Sequence, residues 1–109
     1  MKLNIGCGAD YRPGFINIDA SSELNKVDRI INISVDSLAD HFEENSVDFI
    51  LANDIIEHHF HWEAVRILRD FYKILRNGGE CEIRVPDCEK IIRSWRYGIE
   101  KKLMLLFGG

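Results

Sequence analysis

The sequence is poor in the residue types that mark disulfide-rich, metal-binding and disordered proteins. It has three cysteines, Cys7, Cys81 and Cys88, which are odd in number and lack paired CxxC spacing, so they suggest neither a disulfide framework nor a zinc site. Only two prolines occur, and hydrophobic residues make up 46% of the chain, which excludes a collagen-like, low-complexity or disordered protein. A length of 109 residues predicts a single domain over 1–109.

Long apolar runs and an excess of positive charge are also missing. No apolar stretch reaches the roughly 20 residues needed to cross a bilayer, and the N-terminal residues do not resemble a signal peptide. We therefore expect a cytoplasmic protein without a membrane partner. The 14 basic residues are outnumbered by 18 acidic ones, for a net charge of −4, which argues against a surface that binds nucleic acid through its phosphates.

Short apolar segments alternate with helical patterns and loops along the chain. Residues 62–75 place apolar side chains at three- and four-residue spacing, which predicts an amphipathic helix ended by Gly78 and Gly79. A second helix is predicted over 87–97, with Asp87 as its N-cap. This alternation indicates an α/β layer structure around a mostly parallel sheet. Five segments predict its strands: 3–6, 15–19, 29–35, 47–52 and 80–85.

Polar residues and glycines follow four of the predicted strands. In an open parallel sheet, ligands bind in the crevice beyond the carboxyl ends of the strands, so these residues form one candidate site. Glycines let a ligand approach the backbone closely, and a carboxylate can accept two hydrogen bonds from ribose hydroxyls. The set comprises Gly6, Cys7 and Gly8 after the first strand, Asp19 after the second, Asp36 after the third, and Asn53, Asp54, Glu57 and His58 after the fourth.

The glycine pattern does not fit a dinucleotide site. Such a site needs GxGxxG at the start of a helix, because the pyrophosphate sits on the helix N-terminus. Tyr11 stands where the third glycine belongs, and Pro13 and Gly14 interrupt any helix. Asp19 also follows the loop after about 11 residues instead of about 20. A nucleoside-type cofactor without phosphates fits better, and S-adenosylmethionine is one.

The histidines after the fourth strand raise a metal hypothesis. His58, His59 and His61 lie near Glu57 and Glu63, and histidine is the commonest metal ligand. Their spacing is not the HExxH pair that places two ligands on one helix face. We therefore expect no metal site.

Four segments together resemble the class I S-adenosylmethionine-dependent methyltransferases. They are LNIGCG at 3–8, INID at 16–19, the stretch from Asp36 through EENSVDFILANDIIEH, which ends at His58, and ILRNGGECEIRVPD at 74–87. Each is short, but their order and spacing are specific. The resemblance implies a Rossmann-like three-layer sandwich whose sheet has about five strands in the order 3-2-1-4-5.

The resemblance also implies roles for individual residues. It assigns Gly6, Cys7 and Gly8 to the methionine part of S-adenosylmethionine, Asp19 to its ribose, Asp36 and Ser37 to its adenine, and Asn53 to a place beside the methionine part. Asp54 and His58 become the candidate catalytic residues, which position or deprotonate the acceptor. The expected reaction transfers a methyl group to an oxygen or nitrogen of a small-molecule or sugar-like acceptor.

Two departures from the family pattern bear on the fold. The usual helix between the first two strands is compressed to the loop 10–14, and the two strands that normally form an antiparallel edge are expected to be missing. A fragment, or a domain completed by another chain, would account for the second departure. An exposed edge at the fifth strand, or the apolar C-terminal residues, would then favour a homodimer. A catalytically silent cofactor-binding module remains the alternative to an active enzyme, and a nicotinamide oxidoreductase is disfavoured by the missing glycine.

Overall fold

The strands and helices are taken from a computed structural model that describes residues 1–23, 26–53, 61–85 and 88–93; for 53, 61, 85 and 88–93 it describes the backbone. Among these residues, no helix is both long and apolar enough to cross a bilayer. In chain order the elements are β1 (Lys2–Ile5), β2 (Ile16–Asp19), β3 (Arg29–Ile30), a 3-10 helix (Leu38–Asp40), β4 (Val47–Asn53), α1 (His61–Ile74), β5 (Leu75–Val85) and β6 (Cys88–Arg93).

All six strands belong to one sheet, in the order β3-β2-β1-β4-β5-β6. The first five are parallel, which confirms the predicted order 3-2-1-4-5 and the Rossmann-like α/β class. Neighbouring strand ends are level: Ile5 of β1 pairs with Ile18 of β2 on one side and with Ala52 of β4 on the other. The residues that follow these three positions therefore meet at one edge of the sheet.

The prediction of a second helix over 87–97 is wrong. Cys88–Arg93 forms β6, which pairs antiparallel with β5 from Val85↔Cys88 to Glu80↔Arg93. An unpaired β5 would expose a row of backbone N–H and C=O groups, and pairing with β6 satisfies them. One antiparallel edge strand is thus present where none was expected. The β5 edge is covered, so the homodimer prediction now depends on the apolar C-terminal residues, which lie outside the described part of the chain.

Two strand boundaries differ from prediction because of local turns. The apolar run 29–35 is a strand only at Arg29–Ile30, since the carbonyl of Asn32 accepts the N–H groups of Val35 at 3.0 Å and Asp36 at 2.8 Å. β5 begins at Leu75, directly after α1, but its pairing with β4 is irregular before Glu80. Gly78 in this irregular part has a φ of 84°, a conformation that favours glycine.

The main core lies between one face of the sheet and α1. Leu3, Ile5, Ile18, Ile50 and Ile83 alternate with residues of the opposite face, as strand geometry requires. The apolar stripe predicted for 62–75 packs against them, which confirms this helix. Its buried side chains are Ala64, Ile67, Leu68, Phe71 and Ile74.

In the described part of the chain, a loop and not a helix covers the opposite face of the sheet over β1 and β2. Residues 6–15 contain no helical turn, as the sequence predicts, yet Asn4 of β1 and Asn17 of β2 are buried beneath them. The Asn4 side-chain amide donates to the carbonyl of Asp10 at 2.7 Å and to the side-chain oxygen of Asn17 at 2.9 Å. Polar side chains thus hold this layer, since a short loop offers too little apolar surface to do so.

Candidate functional site

A cleft opens at the carboxyl ends of β1 and β2 and beside the segment that follows β3. It encloses about 400 Å³, including space open to solvent. Its position is where ligands bind in open parallel sheets. The lining consists of Ile5 and Gly6 after β1, Ile18, Asp19 and Ala20 after β2, and Ile31, Asn32, Ile33 and Ser34 after β3.

The loop after β1 owes its sharp course to two glycines. Gly6 has a φ of 66° and Gly8 a φ of 51°, both in the left-handed region that side chains other than glycine rarely adopt. The N–H groups of Gly6 and Cys7 both donate to the carbonyl of Ile18, at 2.8 and 3.0 Å. The loop therefore turns back over the end of β2 and stays attached to it.

Asp19 connects this loop to the end of β2. One of its carboxylate oxygens accepts the N–H of Gly8 at 2.8 Å, and the other accepts the N–H of Ala20 at 2.7 Å. Each carboxylate oxygen can accept a second hydrogen bond. Asp19 also lines the cleft, and the backbone fixes the position of its carboxylate.

The loop amides are unsuited to bind a phosphate. A phosphate cradle needs free backbone N–H groups, but those of Gly6, Cys7 and Gly8 all donate to acceptors within the protein. Acidic side chains also lie near Cys7. Burial raises the pKa of its thiol, and the carboxylates of Asp19, Asp28 and Asp10 raise it further, while Asp10 is paired with Arg12 at 2.9 Å. This neighbourhood favours an uncharged or cationic group over an anionic one.

The predicted cofactor residues Asn53, Asp36 and Ser37 are not part of the cleft lining. Asn53 follows Ala52, which pairs with Ile5, so its backbone reaches the same edge of the sheet as Gly6. Ser37 donates its hydroxyl to a side-chain oxygen of Asp70 on α1 at 3.0 Å. Asp36 is exposed beside it, and neither residue belongs to the cleft lining described above.

The wall of the cleft after β3 was missed by the sequence analysis. Asn32 and Ser34 line it, together with Ile31 and Ile33, which are buried in the core. The signal was present, because two polar residues interrupt the apolar run 29–35 at alternate positions. That alternation was interpreted as part of a continuous strand.

The candidate catalytic residues Asp54 and His58 lie outside the described residues, as do Glu57 and His59. The hypothesis that they act on the acceptor therefore stays a prediction. Within the described part of the chain, no three His, Cys, Asp or Glu side chains form a group that could hold a metal ion.

The sheet order and the glycine loop at the end of β1 define a Rossmann-like α/β class of domain. Comparison with protein families makes the assignment specific, since residues 3–83 match the model of a family described as a methyltransferase domain. The chain belongs to this methyltransferase domain family, whose members generally bind S-adenosylmethionine.

Solved structures show the same fold at low sequence identity. The PH0226 protein from Pyrococcus horikoshii OT3 is similar with a TM-score of 0.61 and 17% identity, over 98% of this chain and 53% of that one. The CurJ carbon methyltransferase is similar with a TM-score of 0.57 and 18% identity, over 75% of this chain and 28% of that one. This chain thus spans about a quarter to a half of the length of these structures. A comparison with curated proteins finds no match.

Proposed function

We propose that the chain binds S-adenosylmethionine in the cleft and forms the cofactor-binding core of a methyltransferase. One observation supports this more than any other: the amides of Gly6, Cys7 and Gly8 donate to acceptors within the protein, while a fixed carboxylate follows β2. The loop cannot cradle a pyrophosphate, which disfavours a nicotinamide dinucleotide. The carboxylate suits a ribose, and the nearby acidic side chains suit a sulfonium cation.

The glycine loop also leaves room beside it for part of this cofactor. A Cβ built on Gly8 would meet no atom within 4 Å, so there is open space beside the loop for the methionine part. We assign Gly6, Cys7, Gly8 and Asn53 to that part, and Asp19 to the ribose hydroxyls. We assign Ile31 and Ile33, which line the cleft, to the wall for the adenine ring. Asp36 and Ser37 follow them in the chain and are assigned to the adenine as well.

The proposed reaction does not require a covalent intermediate with the protein. S-adenosylmethionine supplies a methyl group already activated on a sulfonium, so no nucleophilic side chain is required. The protein has to hold the cofactor, align the acceptor atom with the methyl group and, for a hydroxyl or amine acceptor, remove a proton. We assign the last two tasks to Asp54 and His58, and the acceptor to the small molecules or sugar-like compounds that carry such oxygens or nitrogens.

The alternative is a cofactor-binding module without catalytic activity. It is favoured by the length comparison, since this chain covers 53% and 28% of the two similar structures. Acceptor pockets require further surface, so a chain of this size could bind the cofactor and lack turnover. The two hypotheses share the same cofactor site and differ only in the acceptor site.

The experiment that tests the proposal is calorimetric titration with S-adenosylmethionine and S-adenosylhomocysteine. We expect micromolar binding by the wild type. Asp19→Asn keeps the shape of the side chain but removes its charge and one of the two oxygens that accept backbone N–H groups. Losing a charge-assisted pair of hydrogen bonds to the ligand should cost about 1.5–3 kcal/mol, or about 10- to 100-fold in Kd. Asp40→Asn, at an exposed carboxylate of the 3-10 helix, is the matched control and should bind like the wild type.

Ligand variants make this test specific for the ribose. Asp19→Asn should weaken adenosine binding, but it should not change the weaker binding of 2′,3′-dideoxyadenosine, which lacks both hydroxyls. Equal losses for the two nucleosides would show that Asp19 acts through the loop and not through the ribose. Tighter binding of NADH than of S-adenosylhomocysteine by the wild type would refute the proposed cofactor.

A further inference from the structure

The cleft wall after β3 has no strand to hold it. β3 ends at Ile30, and the segment 31–37 continues as turns. One end is fixed by the N–H of Ile31, which donates to the carbonyl of Asp19 at 2.9 Å. The middle of the segment needs support from another element, because isolated turns do not hold a fixed position on a protein surface.

That support comes from Arg66 on α1. Its guanidinium donates to the carbonyl of Ile33, the residue whose side chain lines the cleft, and to the carbonyl of Asp36 at 3.5 Å. The same group pairs with Asp70 one helical turn later, at 3.4 Å. The helix thus reaches the backbone of the wall at two points through one side chain.

Asp70 completes the connection from the other side. Its carboxylate is largely buried, with 14% of the side chain exposed, and accepts both the Arg66 guanidinium and the Ser37 hydroxyl. Ser37 occupies the N-cap position of the 3-10 helix, but its side chain makes no capping bond there. Its hydroxyl bonds to Asp70 instead, so the end of the segment is joined to the same helix as its middle.

We infer that Arg66 is a positioning residue of the nucleoside cleft, which sets the wall opposite Asp19 by holding the backbone of Ile33 and Asp36 against α1. This inference rests on the proposed function, since it assigns the wall to the adenosine part of the cofactor. The planar guanidinium is suited to the task because it presents several donors in a fixed fork, whereas a lysine presents one compact charge. Arg66 itself does not belong to the cleft lining.

The first part of the test examines the wall without ligand. Amide hydrogen exchange of Val35 and Asp36 reports on the turn, because both N–H groups donate to the carbonyl of Asn32. We expect Arg66→Ala to raise these exchange rates by about tenfold, while amides in β1 and β4 are unchanged. Lys73→Ala is the matched control, since Lys73 is an exposed cation of α1 that pairs with the exposed Glu44 at 3.8 Å. Unchanged exchange at both amides in Arg66→Ala would overturn the inference.

The second part measures S-adenosylhomocysteine binding at a temperature at which every variant is folded, as checked by circular dichroism. We expect Arg66→Ala to raise Kd about tenfold, equivalent to about 1.4 kcal/mol, and Lys73→Ala to leave it unchanged. Arg66→Lys should restore part of the affinity, since a lysine can reach one of the two carbonyls. A merely structural role would lower the free energy of unfolding and leave the Kd of the folded protein as it is.

The outcomes separate the two proposals. Wild-type binding with an unchanged Kd in Arg66→Ala would overturn the positioning role and leave the proposed cofactor standing. Absence of S-adenosylhomocysteine binding by the wild type would overturn the proposed function and, with it, the role of Arg66 in nucleoside binding.

Discussion

Replacing Asn17 with alanine should be among the most destabilising changes to the polar layer of this domain. Asn17 is fully buried in β2, and its side chain joins the strand to the loop that covers the sheet. Its side-chain nitrogen donates to the carbonyls of Arg12 at 2.9 Å and Phe15 at 3.1 Å and to a carboxylate oxygen of Asp28 at 2.9 Å. Its side-chain oxygen accepts the backbone N–H of Arg12 and the side-chain amide of Asn4, both at 2.9 Å.

The size of the effect follows from which partners are left without a hydrogen bond. The amide nitrogen has only two hydrogens for its three acceptors, so the contacts amount to about four bonds at about 1 kcal/mol each. Asn4 keeps its bond to the Asp10 carbonyl, and Asp28 keeps the backbone N–H of Asn17. Loss of the others should lower the free energy of unfolding by about 3 kcal/mol, a large part of the roughly 5–15 kcal/mol of a typical domain.

The assay is urea denaturation followed by circular dichroism, with the thermal midpoint as a second readout. A loss of about 3 kcal/mol should lower Tm by about 12–24 °C in a domain of this size. Asn77→Ala, at an exposed asparagine in β5, is the control and should stay within about 0.5 kcal/mol of the wild type. A loss below about 1 kcal/mol for Asn17→Ala would refute the reasoning, because it would mean that water replaces the buried bonds at little cost.

Two further predictions follow from the carboxylates around the loop. Hydrogen bonds from the backbone and side chain of Asn17 and from Tyr11 lower the pKa of Asp28, so its contribution to stability is present above the ordinary aspartate pKa and is lost as the pH falls through the lower value of the folded state. The free energy of unfolding should therefore fall more steeply below about pH 4 in the wild type than in Asp28→Asn, and equal slopes would contradict this. Burial and the charge of Asp19 raise the pKa of Cys7, so its thiol should stay protonated at pH 8. The folded protein should therefore react with iodoacetamide at Cys7 far more slowly than the protein unfolded in urea, as measured by mass spectrometry of the Cys7 peptide. Equal rates in the two states would contradict this prediction.

Strand β3 shows why apolar patterns identify buried residues more reliably than they identify secondary structure. The run 29–35 was predicted as one strand, and Ile31 and Ile33 are indeed in the core. The strand nevertheless ends at Ile30, because the Asn32 carbonyl is used in a turn and Arg66 takes the Ile33 carbonyl from the side of α1. Side-chain burial is encoded in the residues themselves, whereas the partners of the backbone are not.

The segment after β5 shows the same limit at the sheet edge. Asp87 followed by apolar residues was interpreted as a helix start, but residues 88–93 pair with β5 as a strand. Local propensity differs by only fractions of a kcal/mol between the two states, so the open edge of β5 decides the outcome. The sequence of residues 88–93 alone does not indicate that an unpaired strand edge is available beside it.

The sequence by itself determined the apolar face of α1 and the place of the glycine loop and Asp19 at the ends of β1 and β2, while the order of the parallel strands came from the resemblance to a family. Periodicity, glycine spacing and the position of a carboxylate relative to a strand are local properties, because they depend on residues that are close together in the chain. Only the tertiary structure decided that the loop amides bond internally, that residues 31–34 form the cleft wall and that Arg66 holds it. Each of these depends on which distant backbone group lies within hydrogen-bond distance, and that is set by the packing of the sheet against α1.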